Sequence, residues 1–468
     1  MNNKVRNKKI RFISVIAVFI TFMILSTSTL FADSGVLYNV KVGLKFGANA
    51  PASSRLYSKY GFKIGYLNDR TFNNAYGSTD SKNLTVNIIS GSIIVKDSSM
   101  NLVYKGGEVC IMPNSPDEGM ITIDGTTYRG GVYYKPNKYG SMNIINYLNV
   151  ESYVYGVIYA EMGNKYPLEA LKAQAVCARS YVVNSKSRFK EEGFDVCTTS
   201  ACQSYKGVAG EYPVTNQSVD ETKGEILYYN NSPIVGYYFA NSGGHTLNSE
   251  DVWYERAPYL RAVQDEFSPE YKWTYKVNRN ELGRKLGIGT VITINIKEKT
   301  AYGSVNTIEF VGSNGTKTLK KDGIRTTLGA GNVKSRIFTI NAENSGVGGN
   351  IKSSNLYGIS KDGTFLMKDI FMINGAGNIV SADLESTQIT DGNNSIPLKT
   401  LTKTGNIQTP QTGGSIKLMS PEVIFTGYGY GHGVGMPQQS AKYMALKGNN
   451  YKQILQKYFI GANVAPMR

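Results

Sequence analysis

The 468-residue chain has only two histidines and four cysteines, and its 35 Asp and Glu are outnumbered by 51 Lys and Arg. Four cysteines are too few for a disulfide framework in a protein of this size. No internal repeat is visible, which argues against a repeat architecture. The chain is instead rich in Asn, Ser and Thr and contains 33 Tyr and 50 Gly, a composition typical of a β-rich extracellular protein with polar surfaces.

Residues 1–32 have the layout of a secretory signal, with five basic residues, an apolar run from Phe12 to Leu25 and small polar residues up to Ala32. The run is short for a membrane-spanning helix. We therefore expect an exported protein, either extracellular or associated with the cell wall. Leu30 is a poor residue three positions before the cleavage point, so membrane anchoring by an uncleaved segment stays open. No cysteine follows the run, which argues against a lipoprotein.

The charge balance indicates the kind of partner. Residues 1–32 hold five of the basic residues and no acidic ones, so without them 46 Lys and Arg face 35 Asp and Glu, a net charge of about +11. Outside the cell, the anionic partner of such a protein is envelope polymer and not nucleic acid.

The patterns along the chain predict an α+β fold. Apolar residues alternate with Lys41 and Lys45 between residues 36 and 46, as in a half-buried strand, and similar short strands follow. We interpret 33–140 as a β-rich N-terminal domain without a chemical motif. Helices and strands mix in a catalytic domain that spans 141–465. Within it, residues 341–420 are rich in Gly, Asn, Ser and Thr, which indicates a polar insertion of short strands or loops.

One carboxylate lies where a helix is predicted to end. Val154, Val157 and Ile158 have the spacing of an amphipathic helix, and Glu161 follows on the same apolar face. Gly163 then ends the helix. Partial burial and the negative end of the helix dipole both raise the pKa of a carboxyl group there, which suits a general acid. The alternative is an ordinary Glu near a helix C-terminus.

A second helix is predicted directly afterwards, with Pro167 in its first turn. Its apolar residues form one stripe that should be buried, and Lys172 and Arg179 fall outside that stripe. Two more helices are predicted near the end of the chain, at 437–446 and 449–459.

Both histidines lie in glycine-rich segments, His245 in NSGGHTLNSEDVW and His432 in GYGYGHGVGM. Such segments are typical of loops that approach a ligand closely, although a turn that merely needs Gly would look the same. The glycines around His432 are not a phosphate-binding loop, because no Lys-Ser/Thr pair follows them. We predict that both histidines face the same cleft as Glu161.

Cys197 and Cys202 form a C-x4-C pair that suits either a short disulfide or half of a tetrahedral zinc site. No second cysteine pair completes such a site, so zinc would need a histidine or a carboxylate from elsewhere in the chain. A Cys/His nucleophile is disfavoured, because no cysteine lies in an evident electropositive elbow.

Five segments of the chain, in order, carry a family pattern. They are EMGNKYPLEALKAQAVCARSY, FDV with CQSY, FANSGGHTLNSEDVW with PYLRAV, GIRTTLG with KSRIFTI, and GYGYGHGVGMPQQSAKYMALKGNNYKQILQKYFIG. Together they resemble the family of stage II sporulation protein D, which includes the amidase enhancer LytB. The resemblance runs from about residue 141 to 465 and covers 33–140 and 341–420 weakly or not at all.

The resemblance implies an exported peptidoglycan lytic transglycosylase that cleaves glycan strands stripped of their stem peptides and leaves 1,6-anhydro-muramic acid ends. Its single catalytic Glu lies in the motif that here contains Glu161. One Glu can serve first as acid and then as base, so the chemistry requires no cofactor. The resemblance further places five polar residues around the glycan: Gln203, Tyr205, Ser242, His245 and His432.

The chain departs from the family pattern at several positions. Gly163 and Tyr166 replace residues of the usual E-M-P and W-P, Tyr430 replaces a Trp, and PQQSA replaces SQWGA. Loss of the Trp residues would weaken stacking on sugars, but Glu161 and both histidines are retained. Some members hold zinc in the region that matches Cys197 and Cys202, so a structural zinc ion remains an alternative to a disulfide there.

Two other readings stay open. The protein could be a non-catalytic enhancer that binds the wall and stimulates an N-acetylmuramyl-L-alanine amidase, which makes such an amidase a candidate partner. It could also be a structural wall-binding module. The retained Glu161 favours the enzyme over both.

Overall fold

The computed structural model describes residues 38–115, 119–184, 189–253, 255–342 and 421–468, with short strands between 356 and 417. The predicted secretory segment lies outside these residues. Among the helices that are described, none is long and apolar enough to cross a membrane. Contacts divide the chain into two units, Met1–Tyr238 with Gln438–Arg468, and Phe239–Pro437.

The first unit opens with thirteen consecutive strands within its described residues. They are β1 (Asn39–Lys45), β2 (Ser53–Tyr57), β3 (Phe62–Asn68), β4 (Thr71–Asn73), β5 (Ser78–Thr79), β6 (Asn83–Ile89), β7 (Ser92–Asp97), β8 (Leu102–Gly106), β9 (Val109–Pro113), β10 (Met120–Ile123), β11 (Thr126–Arg129), β12 (Gly131–Pro136) and β13 (Met142–Asn149). A short 3₁₀ turn, Gly47–Asn49, follows β1.

These strands form two sheets. One sheet has the order β11-β10-β2-β6-β7-β8. The other has the order β14-β1-β13-β12-β9-β3-β4, where β14 is Val196–Cys197, and β5 pairs with β3 at its end. The alternation predicted for β1 is present, because Val40 and Val42 are fully buried while Lys45 is exposed.

The boundary predicted at residue 140 falls inside one of these sheets. β13 pairs antiparallel with β1 and with β12, so Asn39 lies opposite Asn149 in the ladder. The β-rich N-terminal region and the first helices therefore belong to one unit. The reason is a strand pairing between residues more than a hundred positions apart, which no local pattern reveals.

Helices α1 (Val150–Met162), α2 (Leu168–Asn184) and α3 (Pro213–Asp220) follow, with a 3₁₀ turn at Gly207–Gly210. The predicted stripe of α2 is buried at Leu171, Ala175, Ala178 and Val182. Arg179, which the periodicity placed outside the stripe, is also fully buried. It is buried because its guanidinium pairs with the Glu151 carboxylate, with Nη2 and Oε2 at 2.6 Å.

The chain then forms β15 (Glu225–Tyr229) and β16 (Ser232–Pro233), and β17 (Tyr238–Phe239) leads into the second unit. Elements of the second unit up to residue 342 are α4 (Ser249–Val252), β18 (Lys272–Asn278), α5 (Arg279–Leu286), β19 (Val291–Lys299), β20 (Val305–Gly312), β21 (Gly315–Lys320), α6 (Gly323–Leu328) and β22 (Ile337–Ala342).

Short strands occupy the predicted polar insertion: β23 (Leu356–Ser360), β24 (Gly363–Met367), β25 (Phe371–Ile373), β26 (Ile379–Ser381), β27 (Gln388–Thr390), β28 (Ser395–Pro397) and β29 (Ser415–Lys417). The first six pair as three successive hairpins. The chain then continues through β30 (Glu422–Tyr428) and β31 (Met436–Pro437). β30 pairs with β22, so the chain leaves and re-enters one sheet on adjacent strands, as expected for an insertion.

The second unit contains a three-stranded sheet, β18-β30-β22, and a four-stranded sheet, β21-β20-β19-β29. Their buried apolar residues, among them Trp273, Phe310 and Phe425, pack with Leu282 of α5 and Leu328 of α6 in one core.

The chain ends in the first unit with α7 (Gln438–Leu446), α8 (Tyr451–Tyr458) and β32 (Asn463–Pro466). Both helices were predicted, and β32 pairs with β15 in a small sheet. Helices and several sheets occur together, so the predicted α+β class is confirmed.

Candidate functional site

Glu161 lies in the last turn of α1. The Asn149 side chain caps the start of this helix by accepting a hydrogen bond from the Glu151 N–H at 2.8 Å. Val154, Val157 and Ile158 are fully buried and hold the helix against the core. Gly163 ends the helix, since its φ of 72° is a conformation that a side chain disfavours.

The Glu161 carboxylate is half-buried among hydrogen-bond donors. The Ser204 N–H donates to Oε1, and the side chains of Ser204, Tyr238 and Gln438 also hydrogen-bond to the carboxylate. Burial raises the pKa of Glu161, and although the hydrogen bonds lower it, the net direction is upward. A carboxyl group in this setting can hold a proton at a higher pH than usual and can be held in one orientation while it donates that proton.

Gln203 directly precedes Ser204, whose N–H donates to this carboxylate. It is fully buried, and its amide accepts a hydrogen bond from the Tyr153 hydroxyl at 3.0 Å while its Nε2 donates to the Tyr238 hydroxyl at 3.1 Å. Since Tyr238 in turn hydrogen-bonds to Glu161, the amide orients a neighbour of the carboxylate. Gln203 is thus linked to Glu161 through the Tyr238 hydroxyl, and its predicted contact with the glycan stays a prediction.

Tyr205 is buried as well. Its hydroxyl donates to Asn146 Oδ1 at 2.7 Å, and its ring packs against Tyr153 with centroids 5.1 Å apart. The ring also lies against Gly156 of α1, where an added Cβ would meet it at 2.5 Å. This close approach of the helix and the loop is what brings Ser204 to Glu161.

Two of the departures from the family pattern meet near this site. The Gln439 amide donates to the Tyr166 hydroxyl at 2.7 Å. Both residues stand where the family pattern has Trp, so a polar contact replaces two large apolar rings. Gln438, the preceding residue, is the one that reaches Glu161.

The other three predicted residues lie in the second unit, around one small cavity of about 10 Å³, which has room for about one water molecule. His245 stacks on Tyr302 with centroids 4.0 Å apart, and its Nδ1 lies 2.7 Å from the Thr246 carbonyl. The buried Ser242 hydroxyl donates to Asp265 Oδ2 at 2.6 Å.

His432 is fixed by its neighbours. Its ring lies 5.4 Å from that of Phe239 and 5.3 Å from that of Trp253. The Val434 N–H donates to His432 Nδ1 at 3.1 Å, so the neutral ring carries its proton on Nε2. The structure therefore brings the two histidines and Ser242 together. That they face Glu161 stays a prediction.

The cavity also contains polar residues that the sequence did not single out. Ser304 and Arg336 line it and are buried, with exposed fractions of 0% and 2%. The only signal for Arg336 was its place in the motif KSRIFTI, where the alternation of residues looks like that of an ordinary strand.

Cys197 and Cys202 are close together, with their sulfur atoms 2.6 Å apart. Two thiolates on one tetrahedral zinc ion, with Zn–S bonds of about 2.3 Å, would be about 3.7 Å apart. Within the described ranges, no three His, Cys, Asp or Glu residues form a cluster that could hold a metal ion. The choice between a disulfide and a structural zinc ion at this pair stays a prediction.

The part of the chain that carries Glu161 also matches a known protein family. Residues 138–229 match the model of the SpoIID family, described as stage II sporulation protein. This part of the chain belongs to the stage II sporulation protein D family. The match contains Glu161, Gln203, Tyr205 and the Cys197/Cys202 pair and excludes the cavity of the second unit.

Relatives extend this similarity over more of the chain. The amidase enhancer of Bacillus subtilis is 28% identical over 375 residues, which is 78% of this chain and 48% of that protein. Stage II sporulation protein D of Bacillus amyloliquefaciens is 28% identical over 345 residues, 69% of this chain and 76% of the relative. The protein of the same name from Bacillus subtilis is 35% identical over 201 residues, 38% of this chain and 57% of the relative. The chain is thus a cell-wall-related sporulation protein.

Proposed function

We propose that this family member is an exported peptidoglycan lytic transglycosylase in which Glu161 is the only proton-transfer group. The observation that carries the proposal is the setting of Glu161, a half-buried carboxyl group with a raised pKa that is held by Ser204, Tyr238 and Gln438. The strongest influences on its pKa are burial and these hydrogen bonds, none of which comes from a second carboxylate. Hydrolases of glycosidic bonds usually need two carboxylates, whereas lytic cleavage needs one.

The reaction can be written with one carboxyl group. Protonated Glu161 donates its proton to the glycosidic oxygen that joins C1 of muramic acid to the next sugar, and the C1–O bond breaks as that sugar leaves with its hydroxyl group. The Glu161 carboxylate then removes the proton of the muramic acid 6-hydroxyl. O6 forms a bond to C1, which closes the 1,6-anhydro ring and returns Glu161 to its protonated form.

The residues around Glu161 favour both steps. The Ser204 N–H and the side-chain donors stabilise the carboxylate that forms when the proton leaves, and burial makes the protonated form available before that. Gln203 keeps the Tyr238 hydroxyl in place. Because the group alternates between acid and base, a pKa driven far in either direction would hinder one of the two steps, and burial and hydrogen bonding act on the pKa of Glu161 in opposite directions.

We propose glycan strands without stem peptides as the substrate. The positive net charge of the chain, +16 including the predicted secretory segment, suits an anionic wall polymer outside the cell. An amidase that removes the stem peptides would then act before this enzyme.

A second function is favoured by one observation, the relative named amidase enhancer, which aligns with 78% of this chain. In that case the protein would bind the wall and stimulate an amidase without cleaving glycan. One experiment separates the two functions. Purified glycan without stem peptides is incubated with the wild-type protein and with Glu161→Gln, and soluble products are measured by mass spectrometry. Products with anhydro ends from the wild type alone support the transglycosylase, whereas amidase stimulation without products supports the enhancer.

A further inference from the structure

Lys442 lies one helical turn from a residue that contacts Glu161. Helix α7 begins at Gln438, whose side chain hydrogen-bonds to the Glu161 carboxylate. Side chains four residues apart lie on the same face of a helix, separated by roughly 6 Å along its axis. Gln438 is buried and Lys442 is half-buried, so this face of α7 runs from the carboxylate towards solvent.

Two tyrosine rings flank the ammonium group of Lys442. Its Nζ lies 5.5 Å from the ring centroid of Tyr166 and 6.0 Å from that of Tyr443. Both distances are close to the outer limit of about 6 Å for cation–π attraction, so the rings hold the charge only weakly. The Gln439 amide donates to the Tyr166 hydroxyl at 2.7 Å and fixes this ring beside the helix, while Tyr443 is 40% exposed. The cation and the two rings thus form one partly exposed surface beside Glu161.

The charge of Lys442 is not neutralised within the part of the chain that the structure describes, where no carboxylate forms an ion pair with it. Lys172 shows the contrast. It also lies over a tyrosine ring, but its Nζ binds two carboxylates, that of Glu169 at 2.9 Å and that of Glu221 at 3.2 Å. Residues 423–468, which include α7, hold four Lys and one Arg and no Asp or Glu. This segment therefore attracts an anionic ligand and offers no carboxylate that would repel it.

The proposed substrate carries one carboxylate for every two sugars. This carboxylate is the lactyl group of muramic acid, which is bound in an amide until an amidase removes the stem peptide, whereas N-acetylglucosamine has no charge. An ammonium group pairs with a carboxylate, and tyrosine rings pack against the apolar faces of sugars. Muramic acid is also the sugar whose C1–O bond breaks in the proposed reaction. Its lactyl group therefore lies within one sugar ring of the bond that Glu161 would protonate.

We propose that Lys442 binds the free lactyl carboxylate of muramic acid while Tyr166 and Tyr443 contact the sugar rings, so that the Glu161 site selects strands that an amidase has already processed. The inference rests on the proposed function for the identity of the polymer. Lys442 takes no part in proton transfer and acts as a specificity-determining residue.

The ligand is tested by changing the carboxylate. The full-length Glu161→Gln protein is used, so that cleavage does not deplete the glycan. It is titrated at low ionic strength with three forms of one glycan: with free lactyl carboxylates, with these groups converted to methylamides, and with intact stem peptides. We expect the free carboxylate form to bind about 10-fold more tightly than the methylamide, as the loss of one charge-assisted hydrogen bond implies. This preference should fall as sodium chloride is added. Equal affinity for these two forms would overturn the proposal. Equal or tighter binding of the form with stem peptides would overturn the lactyl assignment, because it would indicate a peptide carboxylate.

The residue is tested in the same background with Lys442→Gln and with Lys442→Arg, which keeps the charge. Lys447→Gln removes the same charge just beyond the end of α7 and is the matched control. We expect Lys442→Gln to bind the free carboxylate and the methylamide with affinities within about 2-fold of each other, and the other two variants to keep the preference. A preference retained in Lys442→Gln would contradict the assignment. An equal loss in Lys447→Gln would also contradict it, because it would indicate attraction by overall charge.

Folding of each variant is checked by its thermal midpoint. Should Lys442→Gln fail to fold, Lys442→Met keeps the aliphatic part of the side chain on the tyrosine rings and removes the same charge. Both readouts are binding affinities, so selection of the carboxylate and cleavage of the glycan can fail separately. A preference that depends on Lys442, together with no anhydro products from the wild type, would refute the transglycosylase alone.

Discussion

The Ser204 N–H donates a hydrogen bond to the Glu161 carboxylate, and the Ser204 hydroxyl contacts the same group. Forty-three residues of chain separate the two, and the loop that carries Ser204 is held to α1 by the close contact of Tyr205 with Gly156. Burial is the largest influence on the pKa of Glu161 and raises it, while the Ser204 hydrogen bonds act to lower it. Ser204 is therefore a place where this pKa can be changed without removing the acid.

Ser204→Ala should shift the pH dependence of glycan cleavage. The Ser204 hydroxyl lowers the pKa of Glu161, so its removal raises that pKa further. The first step needs protonated Glu161. The fall of kcat/KM on the alkaline side of its pH profile should therefore move to higher pH. Ser204→Thr keeps the hydroxyl and serves as the control. A shift of the limb to lower pH, or the same shift in both variants, would contradict this role.

Glu161→Gln should stabilise the protein at neutral pH. Burial raises the pKa of Glu161 above its ordinary value of 4.5, so the wild type is most stable below that value and loses this stability as pH rises through the folded-state pKa. Gln does not titrate, so the variant does not lose this stability as pH rises. The thermal midpoint of the variant should therefore exceed that of the wild type at pH 7, and the difference should shrink below about pH 4.5. A variant less stable than the wild type at pH 7 would show that the carboxylate is not desolvated.

The Glu151–Arg179 pair should be essential for the stability of the first unit. Arg179 is fully buried, and Glu151 also accepts a hydrogen bond from the Gly224 N–H at 2.9 Å. Glu151→Ala leaves the Arg179 charge buried without its partner, which should cost about 3–5 kcal/mol in the free energy of unfolding. Urea denaturation measures this cost.

The control for that measurement is the exposed pair Lys297–Glu309, whose side chains are 50% and 24% exposed. Glu309→Ala should lower the free energy of unfolding far less than Glu151→Ala does, because water screens an exposed ion pair. Similar costs for the two substitutions would show that burial does not distinguish the pairs.

Cys197 and Cys202 should form a disulfide in the exported protein. Their sulfur atoms are 2.6 Å apart. In the presence of oxidised glutathione, the two thiols would give up two electrons and two protons to the reagent as the bond forms. Alkylation followed by mass spectrometry should then label these cysteines only after reduction, while the fully buried Cys110 and Cys177 provide thiols for comparison in the unfolded protein. One zinc ion per chain in reduced protein, lost in Cys202→Ala, would refute the disulfide.

Local patterns in the sequence predicted α1, its end at Gly163 and the place of Glu161 in its last turn, because apolar spacing and a helix-ending Gly are short-range signals. They did not predict the pairing of β1 with β13 or the burial of Arg179. Both depend on contacts between distant residues, Asn39 with Asn149 and Arg179 with Glu151. Arg336 was missed for a similar reason. A cation in an alternating strand looks like a surface residue until the fold buries it.

The central claim is that Glu161 drives cleavage of glycan without water. The most direct measurement is mass spectrometry of products formed from glycan without stem peptides in water enriched in oxygen-18. The account predicts 1,6-anhydro ends that carry no oxygen-18, and a loss on the order of 100-fold or more in their formation with Glu161→Gln. Reducing ends labelled with oxygen-18 would show hydrolysis instead. Anhydro ends formed at wild-type rate by Glu161→Gln would remove Glu161 from the chemistry.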